Sequence, residues 1–334
     1  MKIKRLGRTG LKVSEICLGT MTFGNQCDEP TSHAIMDRAL DHGVTFFDTA
    51  DAYPLGGTLE TAGRTEEYIG NWLKGRREQI VLATKFFGQM GSGPNDQGGS
   101  RKHIMQAVEA SLRRLRTDYI DLYQMHFPDA ETPLDETLRA LDDLVHSGKV
   151  RYIGCSNYPA WLLCKALWTS DRLGLARFDS VQPRYNLLFR MIEAELLPLA
   201  QDQSIGVICY NPLAGGVLTG RYRAGQELEQ GTRFSLQNAG KLYRDRYWQE
   251  PHLQAVEQLK KLCDERGVPV IQVALAWVLA QPAITSAIVG ASKAEQLDQS
   301  LPAVDLALDE QLLATCDAIW YQLPRERNKA VALR

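Results

Sequence analysis

The chain alternates short apolar runs with longer amphipathic segments along almost its whole length. The apolar runs are rich in β-branched and aromatic residues, as expected for buried β-strands. Eight runs are predicted to be strands: EICLGT, VTFFDT, QIVLAT, YIDLYQM, VRYIGCS, SVQPRY, GVICYN and SAIVGA. Seven of them lead into a segment of helical period, with helices predicted to start near Thr31, Thr65, Arg101, Leu134, Pro159, Met191 and Lys293. This repetition indicates parallel strands joined by helical crossovers.

The run GVICYN is the exception, because no helical period follows it directly. The segment from Asn211 to Glu250 is about forty residues long and rich in Gly, Arg and Tyr. A loop of this length inside a compact domain usually serves a function. We therefore expect this segment to contribute to a binding site.

Prolines and glycines mark the predicted starts and ends of the helices. Pro159 and Pro269 fall at predicted first turns, where the missing N–H of proline costs nothing. Glycines suited to a left-handed C-terminal position follow five helical segments, at Gly43, Gly75, Gly148, Gly174 and Gly267.

Eight βα units in about 300 residues predict an α/β fold, a closed (β/α)8 TIM barrel. A β-hairpin is predicted over Lys2 to Val13, with its turn at Arg8-Thr9-Gly10, covering the bottom of the barrel. An extra C-terminal helix is predicted from Glu310 to Tyr321. No Pro/Gly/Ser-rich linker divides the chain, so residues 1–334 are expected to form one domain.

The alternative architecture is an open, doubly wound sheet. Such a sheet normally carries a G-x-G-x-x-G turn after its first strand, where the backbone approaches a pyrophosphate. EICLGTMTFG has Gly19 and Gly24 at the wrong spacing, and no helix is predicted to start between them. A bound nucleotide must therefore be held in another way.

Composition narrows the class of function. The 334 residues are 44% hydrophobic and 23% charged, with a formal net charge of −2, which argues against general binding to nucleic acid or to anionic membranes. No apolar run approaches the 18 residues of a membrane span, and the N-terminus has no signal-peptide pattern. The seven cysteines are odd in number and never form C-x-x-C, which argues against disulfides and a zinc site. A cytoplasmic protein without a metal is expected.

Four chemically capable residues follow the second, third and fourth predicted strands. Asp48 ends VTFFDT, Tyr53 lies five residues further on, Lys85 ends the third strand and His126 ends the fourth. Each alone has a structural explanation, such as a helix cap, a rim residue, a solvated strand end or a core histidine. In a (β/α)8 barrel the carboxyl ends of all strands meet at the catalytic face, so the set together predicts an active site.

The chemistry of this set follows from the tyrosine. A phenol with a pKa of about 10 exchanges protons poorly at neutral pH unless its anion is stabilised. Lowering that pKa by two or three units needs roughly 3 to 4 kcal/mol, which the Lys85 ammonium, kept charged by Asp48, is expected to supply. With His126 positioning an oxygen, the set suits reduction of a carbonyl by hydride from a cofactor. The alternative hypothesis is an aldolase or isomerase that uses Lys85 as a Schiff-base nucleophile.

These motifs give the chain a close resemblance to the aldo-keto reductases over nearly its whole length. The pattern G-x-x-x-x-D-T-A-x-x-Y, the strand-three lysine and the strand-four histidine occur in order. The resemblance, which is to bacterial members related to channel β subunits, implies NADPH-dependent reduction of aldehydes or ketones. Tyr53 would be the general acid, tuned by Lys85 and Asp48, and His126 would orient the carbonyl. It also leaves open a nicotinamide-binding regulatory subunit, against which His126 weighs.

The resemblance also implies a set of cofactor contacts. GKVRYIGCSN supplies Ser156 and Asn157, which with Gln182 would hold the nicotinamide carboxamide, while Tyr210 would stack on the ring. Thr20, Met21 and Asp48 would border the same site. For the phosphates, the implied residues are Asn211, Pro212, Leu213, Gly215, Arg221 and Arg233 around NPLAGGVLTGR, and Gly290, Ser292, Lys293, Gln296 and Gln299 around GASKAEQLDQS.

Two departures from the family pattern qualify these expectations. Gln296 stands where many relatives carry Arg, and Gln299 and Ser300 where they carry Glu-Asn, which weakens the expected hold on a 2′-phosphate. Lys293 and Arg233 offer compensating charge, so NADPH remains the expected cofactor over NADH. Pro54 replaces the usual glycine after Tyr53 and opens an insertion, PLGGTLETAGR, so specificity does not carry over from relatives.

The substrate mouth is expected to have aromatic walls. The candidate residues are Met21, Phe23, Phe86, Phe87, Phe127 and the stretch 243–248, and each of them is equally compatible with a place in the core. Such walls favour an apolar aldehyde or ketone over a phosphorylated sugar. Arg190 and Arg244 leave an anionic substrate as the alternative.

Overall fold

The computed structural model describes residues 1–236 and 239–324. The chain begins with an antiparallel hairpin, formed by β1 (Ile3–Arg5) and β2 (Lys12–Ser14). Eight parallel strands then close into a barrel, each pairing with the next along the chain and the last pairing with the first. They are β3 (Ile16–Gly19), β4 (Phe46–Asp48), β5 (Val81–Phe86), β6 (Ile120–Met125), β7 (Val150–Ser156), β8 (Ser180–Gln182), β9 (Gly206–Cys209) and β10 (Ile284–Gly290). The predicted (β/α)8 barrel and N-terminal hairpin are confirmed.

Helices surround the barrel on the outside. They are α1 (Glu29–Asp41), α2 (Arg64–Trp72), α3 (Arg101–Leu115), α4 (Leu134–His146), α5 (Ala160–Leu173), α6 (Leu196–Asp202), α7 (Gly240–Tyr247), α8 (Glu250–Glu265), α9 (Val270–Leu279), α10 (Glu295–Ser300) and α11 (Glu310–Gln322). The last of these is the predicted extra C-terminal helix.

Local chemistry sets several of these boundaries. Asp28 caps α1 by accepting a hydrogen bond from the backbone N–H of Thr31, and Ser100 caps α3 in the same way. Gly174 ends α5 with a φ of 67°, which glycine adopts without steric cost. Pro159 and Pro269 stand one position before the first helical residue, not inside the first turn as expected.

Three predicted elements differ from the structure. The residues from Met191 form only a short 3₁₀ turn, and α6 begins at Leu196. The helix expected from Lys293 begins at Glu295 and has six residues. The long segment after β9 is not structureless, because it contains 3₁₀ turns at Ala214–Thr219 and Arg233–Ser235 as well as α7. Aromatic packing among Tyr222, Phe234 and Trp248, with ring centroids about 5 Å apart, holds much of it in place.

The core has two parts, and the smaller one closes the lower end of the barrel. Leu6 and Val13 of the hairpin pack against Phe46, Leu122 and Ile208 inside the barrel, and all five are fully buried. The hairpin turn also bonds to the segment that leads into β9, since the backbone N–H of Arg8 donates to Ser204. The hairpin therefore seals the amino-terminal end, as predicted, and the carboxyl ends of the strands form the other face.

Candidate active site

Asp48, Lys85 and His126 are brought together by the register of three neighbouring strands. Asp48 is the last residue of β4 and pairs with Ala83 of β5, and Lys85 pairs with Gln124 of β6. Because side chains alternate between the two faces of a strand, Lys85, Gln124 and His126 share the inner face. The carboxyl end of the barrel thus gathers them in one layer.

The centre of this layer is a buried ion pair. The ammonium of Lys85 donates hydrogen bonds to Asp48 Oδ2 at 2.5 Å and to the carbonyl oxygen of Thr49 at 2.9 Å. The Lys85 side chain is 0% and that of Asp48 4% exposed to solvent. Burial alone would lower the pKa of Lys85, but the charges and hydrogen bonds of Asp48 and Tyr53 raise it above its ordinary value. Lys85 is therefore a permanent cation at neutral pH.

Tyr53 lies next to this cation. The Lys85 nitrogen is 5.1 Å from the centre of the Tyr53 ring. Burial raises the pKa of Tyr53, and the lowering effect of Lys85 is smaller and is opposed by Asp48. The expectation that Lys85 lowers this pKa below its ordinary value is therefore wrong, because burial outweighs the effect of Lys85 and Asp48 opposes that effect further. Tyr53 keeps its proton at neutral pH, as a proton donor must.

His126 lies across from the tyrosine and is neutral. Its ring meets the Tyr53 ring edge-on at 5.9 Å and stacks on Phe127 at 4.7 Å. Burial, and then the positive charge of Lys85, lower the pKa of His126 well below its ordinary value. Its backbone N–H donates to Phe86 at 2.9 Å, and its carbonyl oxygen accepts from Asn157 Nδ2 at 3.0 Å. A neutral, fixed imidazole can donate one hydrogen bond to a substrate oxygen without competing for the proton of Tyr53.

Gln124 belongs to this layer but was missed from the sequence. Asp48 Oδ1 accepts hydrogen bonds from Gln124 Nε2 at 3.0 Å and from Gln182 Nε2 at 2.8 Å. Gln182 Nε2 is also 3.2 Å from Gln124 Oε1, to which it donates. Strand alternation was the available signal, because Gln124 stands two residues before His126 and so shares its face.

The residues expected around a nicotinamide form one hydrogen-bonded network beside His126. Ser156 Oγ donates to the carbonyl oxygen of Gln182 at 2.8 Å, and Asn157 Nδ2 donates to Ser156 Oγ at 3.1 Å. The Tyr210 hydroxyl donates to Asn157 Oδ1 at 2.7 Å. Within the described residues no donor reaches Gln182 Oε1, so this amide oxygen is free to accept from a carboxamide N–H. The donor and acceptor set fits a nicotinamide.

Thr20 and Met21 lie on the same rim. Thr20 donates to the carbonyl oxygen of Asp48 from its backbone N–H at 3.1 Å and from its hydroxyl at 2.9 Å. The carbonyl oxygen of Met21 accepts from the N–H of Leu55, and its sulfur is 4.0 Å from the hydroxyl of Tyr243. Both residues therefore link the catalytic layer to loops at the mouth.

The loop after β9 has an unusual backbone. Asn211, Ala214, Gly215 and Gly216 all have positive φ, at 56°, 50°, 69° and 106°. The N–H groups of Ala214 and Gly216 donate to the carbonyl oxygens of Asn211 and Leu213 within the loop, and the two glycines leave its backbone open to close approach by a ligand. At Gly215 an added Cβ would lie 2.9 Å from Tyr243 Cδ1, so α7 packs directly on this loop. Pro212 and Leu213 lie between these residues.

The two arginines expected at the phosphates differ in their surroundings. Arg221 is 3.4 Å from Glu229, and both side chains are about half exposed. The Arg233 guanidinium lies over the Tyr243 ring at 5.3 Å. Of the two, Arg233 lies against the ring that packs on the left-handed loop after β9.

The segment after β10 carries the residues expected at a 2′-phosphate. Gln296 Oε1 accepts from the backbone N–H of Ser292 at 2.8 Å and lies 3.3 Å from its hydroxyl. The glutamine that stands where many relatives carry Arg therefore satisfies a backbone donor at the start of α10. Lys293 and Gln299 are exposed, and Gly290 approaches Gly19 so closely that a Cβ would lie 3.2 Å from its carbonyl oxygen.

The aromatic wall is smaller than expected. Phe87 and Phe127 pair at 5.9 Å, and Phe127 is 44% exposed. Phe23 and Phe86, by contrast, belong to the core that packs against the helices, and both are 0% exposed. Phe86 alternates with the inward Lys85 and therefore faces outward, where it stacks on Tyr123 at 4.8 Å.

The charges near the mouth are largely compensated. Arg190 Nη1 donates to Asp317 at 2.5 Å and its Nε donates to Glu193 at 2.7 Å. Arg244 donates to the carbonyl oxygen of Phe234. In the stretch 243–248, Tyr243 is buried with its hydroxyl near the sulfur of Met21, and Trp248 packs on Tyr222 and Phe234.

The insertion after Tyr53 is tied to the rim at both ends. The N–H of Gly63 donates to the carbonyl oxygen of Tyr53 at 3.0 Å, and Asn25 Nδ2 donates to that of Leu55 at 2.8 Å. Leu59, in the middle of the insertion, is 49% exposed. The insertion therefore borders the mouth, as expected from its position after Tyr53.

Two further kinds of site are absent from residues 1–236 and 239–324. No group of three or more His, Cys, Asp or Glu side chains is arranged to hold a metal ion. No helix in this part of the chain is long and apolar enough to cross a membrane. All seven cysteines are free thiols, and six of them are buried.

Comparison with known proteins identifies the family. A sequence profile of the Aldo/keto reductase family matches residues 15–321. The uncharacterized oxidoreductase YrpG of Bacillus subtilis (strain 168) is 43% identical over 96% of each chain, and a probable voltage-gated potassium channel subunit beta of Arabidopsis thaliana is 41% identical over 92% of each. The aldo-keto reductase YhdN of Bacillus subtilis (strain 168) is 36% identical over 89% of this chain and 87% of its own. The chain therefore belongs to the aldo/keto reductase family.

Proposed function

We propose that this protein reduces an aldehyde or ketone to an alcohol with NADPH, and that Tyr53 donates the proton. Family membership supports oxidoreductase activity on carbonyl groups. The observation that carries the finer proposal is the buried Lys85–Asp48 pair, with a protonated Tyr53 on one side and a neutral His126 on the other. In this arrangement the Lys85 ammonium stabilises negative charge on the Tyr53 oxygen once that oxygen has lost its proton.

The roles of the chain's own residues follow from their charges. His126 and the Tyr53 hydroxyl hold the substrate oxygen and polarise the carbonyl bond. The reduced nicotinamide, when bound, supplies the hydride. As negative charge develops on the oxygen, the Tyr53 proton moves to it, and the Lys85 ammonium stabilises the resulting phenolate. The contact with Asp48 raises the pKa of Lys85, so Lys85 keeps its own proton.

The residues proposed to hold the cofactor surround this layer. Ser156, Asn157 and Gln182 hold the carboxamide, and Tyr210 stacks on the ring. The left-handed loop from Asn211 borders the pyrophosphate, where Gly215 and Gly216 let the phosphates approach the backbone closely. Lys293 and Arg233 supply positive charge for the 2′-phosphate, which is why we propose NADPH in preference to NADH.

We propose an apolar, preferably aromatic, carbonyl compound as the substrate class. Phe87 and Phe127 offer ring surfaces at the mouth, and Phe127 is exposed there. Arg190 is already engaged by two carboxylates, which disfavours a phosphorylated substrate.

The test is NADPH oxidation by the purified protein with 4-nitrobenzaldehyde. We expect turnover, and we expect Tyr53→Phe to abolish it while leaving the dissociation constant for NADPH nearly unchanged, because the substitution removes only the transferable proton. Retained turnover in this variant would overturn the proposed role of Tyr53. Borohydride trapping of a substrate on Lys85 would instead favour the Schiff-base chemistry of an aldolase.

A nicotinamide-binding regulatory subunit is the second candidate function. The similarity to a probable channel subunit beta favours it, since that relative is 41% identical over 92% of each chain. The complete proton-donor set, including His126, favours the enzyme. Tight binding of NADPH by a protein that turns over none of a broad panel of carbonyl compounds would favour the regulatory subunit.

A further inference from the structure

Gln124 contacts both the Lys85–Asp48 ion pair and Gln182. Its side chain lies inside the barrel and is 0% exposed. Its Nε2 donates to Asp48 Oδ1 at 3.0 Å, and its Oε1 accepts from Gln182 Nε2 at 3.2 Å. Both ends of one amide are therefore engaged, one with the ion pair and one with the residue proposed to bind nicotinamide.

The contact with Asp48 balances the ion pair. A buried carboxylate needs hydrogen bonds on both oxygens, and Lys85 serves only Oδ2. Gln124 and Gln182 satisfy Oδ1 with neutral N–H groups. Since these two donors are neutral, Lys85 is the cation that pairs with the Asp48 carboxylate. Hydrogen bonds on both oxygens also hold the Asp48 side chain in one rotamer.

The contact with Gln182 fixes which way that amide points. A glutamine amide can flip by half a turn, and its neighbours decide the orientation. Asp48 Oδ1 and Gln124 Oε1 are both acceptors, so they require the NH₂ group of Gln182 to face them. The oxygen of Gln182 is thereby directed away from them, and no donor in the described part of the chain occupies it.

We propose that Gln124 is a positioning residue that couples the cofactor site to the proton donor. It holds Asp48 against Lys85 and presents Gln182 Oε1 to the nicotinamide carboxamide. This inference rests on the proposed function for its catalytic half, while its effect on Gln182 concerns cofactor binding alone.

The first test is Gln124→Leu, which keeps similar bulk and removes both hydrogen bonds. We expect the dissociation constant for NADPH, measured by quenching of intrinsic fluorescence, to rise about tenfold, and kcat to fall by about tenfold or more. The matched control is Thr84→Val on the neighbouring strand. Thr84 is equally buried and donates to Glu66 Oε1 at 2.6 Å, but it has no bond to Asp48 or Gln182. Its loss is expected to lower stability and to leave both constants unchanged.

The second test is Gln124→Glu, which separates positioning from simple packing. A protonated carboxyl group at this position donates to Asp48 Oδ1, whereas an ionised one repels it, so kcat should fall as pH rises through the pKa of the new group. The titratable groups around this point are Asp48, Lys85, Tyr53, His126 and Cys17, all present in the wild type. A wild-type profile that is flat over the same pH range isolates the new group.

The outcomes are distinct. A tenfold loss of NADPH affinity in Gln124→Leu but not in Thr84→Val, with a new alkaline loss of kcat in Gln124→Glu, supports the proposal. Unchanged affinity and an unchanged pH profile in both Gln124 variants overturn it. If the wild type reduces no carbonyl compound, the proposed function fails, and the NADPH affinities of the same variants still decide the role of Gln124.

Discussion

The catalytic layer and the rim of the barrel are built in different ways. In the layer, Asp48, Lys85, Gln124 and Gln182 are buried and are joined by hydrogen bonds of 2.5 to 3.2 Å. At the rim, Phe127 and Leu59 are 44% and 49% exposed, and Lys293 is exposed too. Strand register fixes the first region, whereas loop length and loop packing fix the second.

This difference indicates that the two regions can change independently. Moving one side chain of the layer leaves a buried charge or amide without a partner, at a cost of several kcal/mol. Moving one side chain of the rim exchanges contacts with solvent and costs far less. We therefore expect the reaction type to depend on the layer and the choice of substrate on the rim.

Lys85→Met is the change with the largest expected effect. It removes the charge that stabilises the Tyr53 phenolate, so we expect kcat/KM for 4-nitrobenzaldehyde to fall roughly 1,000-fold. It also leaves Asp48 buried without its cation, and the free energy of unfolding should fall by about 3 to 5 kcal/mol. Steady-state kinetics and urea denaturation measure the two effects.

A double variant separates these two effects. Adding Asp48→Asn to Lys85→Met removes the unpaired charge, so stability should largely return while activity stays lost. Recovery of activity together with stability would contradict the assigned role of Lys85.

The strand-end set was predictable because register and alternation act over short distances. Asp48, Lys85 and His126 each end an apolar run, and equal phase in parallel strands brings such residues into one layer. The same alternation predicts that Phe86 faces away from the barrel interior, next to the inward Lys85, and so decides between the mouth and the core, the two positions open to it from the sequence. Gln124 was overlooked because a neutral amide carries no chemical signal until its partners are known.

The pKa of Tyr53 depends on quantities that a sequence does not contain. Its direction results from the balance between burial, the charge of Lys85 and the opposing charge of Asp48. The sequence shows that a lysine is near Tyr53, but it does not show how deeply the Tyr53 hydroxyl is buried. The 3₁₀ turns and α7 within the long segment after β9 were not predicted for a similar reason, since contacts between distant residues such as Tyr222 and Trp248 hold this segment in place.

Phe127→Ala tests the rim and has an intermediate expected effect. Losing an exposed ring at the mouth should raise KM for 4-nitrobenzaldehyde roughly tenfold, with little change in kcat, because the ring contributes apolar contact and no charge. Trp168→Ala is the matched control, since Trp168 is a 58% exposed aromatic residue on the outer helix α5. A fall in kcat as large as that of Lys85→Met would show that Phe127 supports His126 and would erase the distinction between rim and layer.

Lys293→Ala should have the smallest effect, and it concerns the cofactor. Because Lys293 is exposed, solvent screens its attraction for a 2′-phosphate, and we expect the KM for NADPH to rise only about three- to fivefold. The KM for NADH should stay unchanged, since NADH has no 2′-phosphate. Lys260→Ala on α8 removes another surface cation and should leave both constants alone. The rise in KM for NADPH should become smaller as salt is added. An equal rise in KM for both cofactors would mean that Lys293 supports the fold of the loop and does not bind the 2′-phosphate.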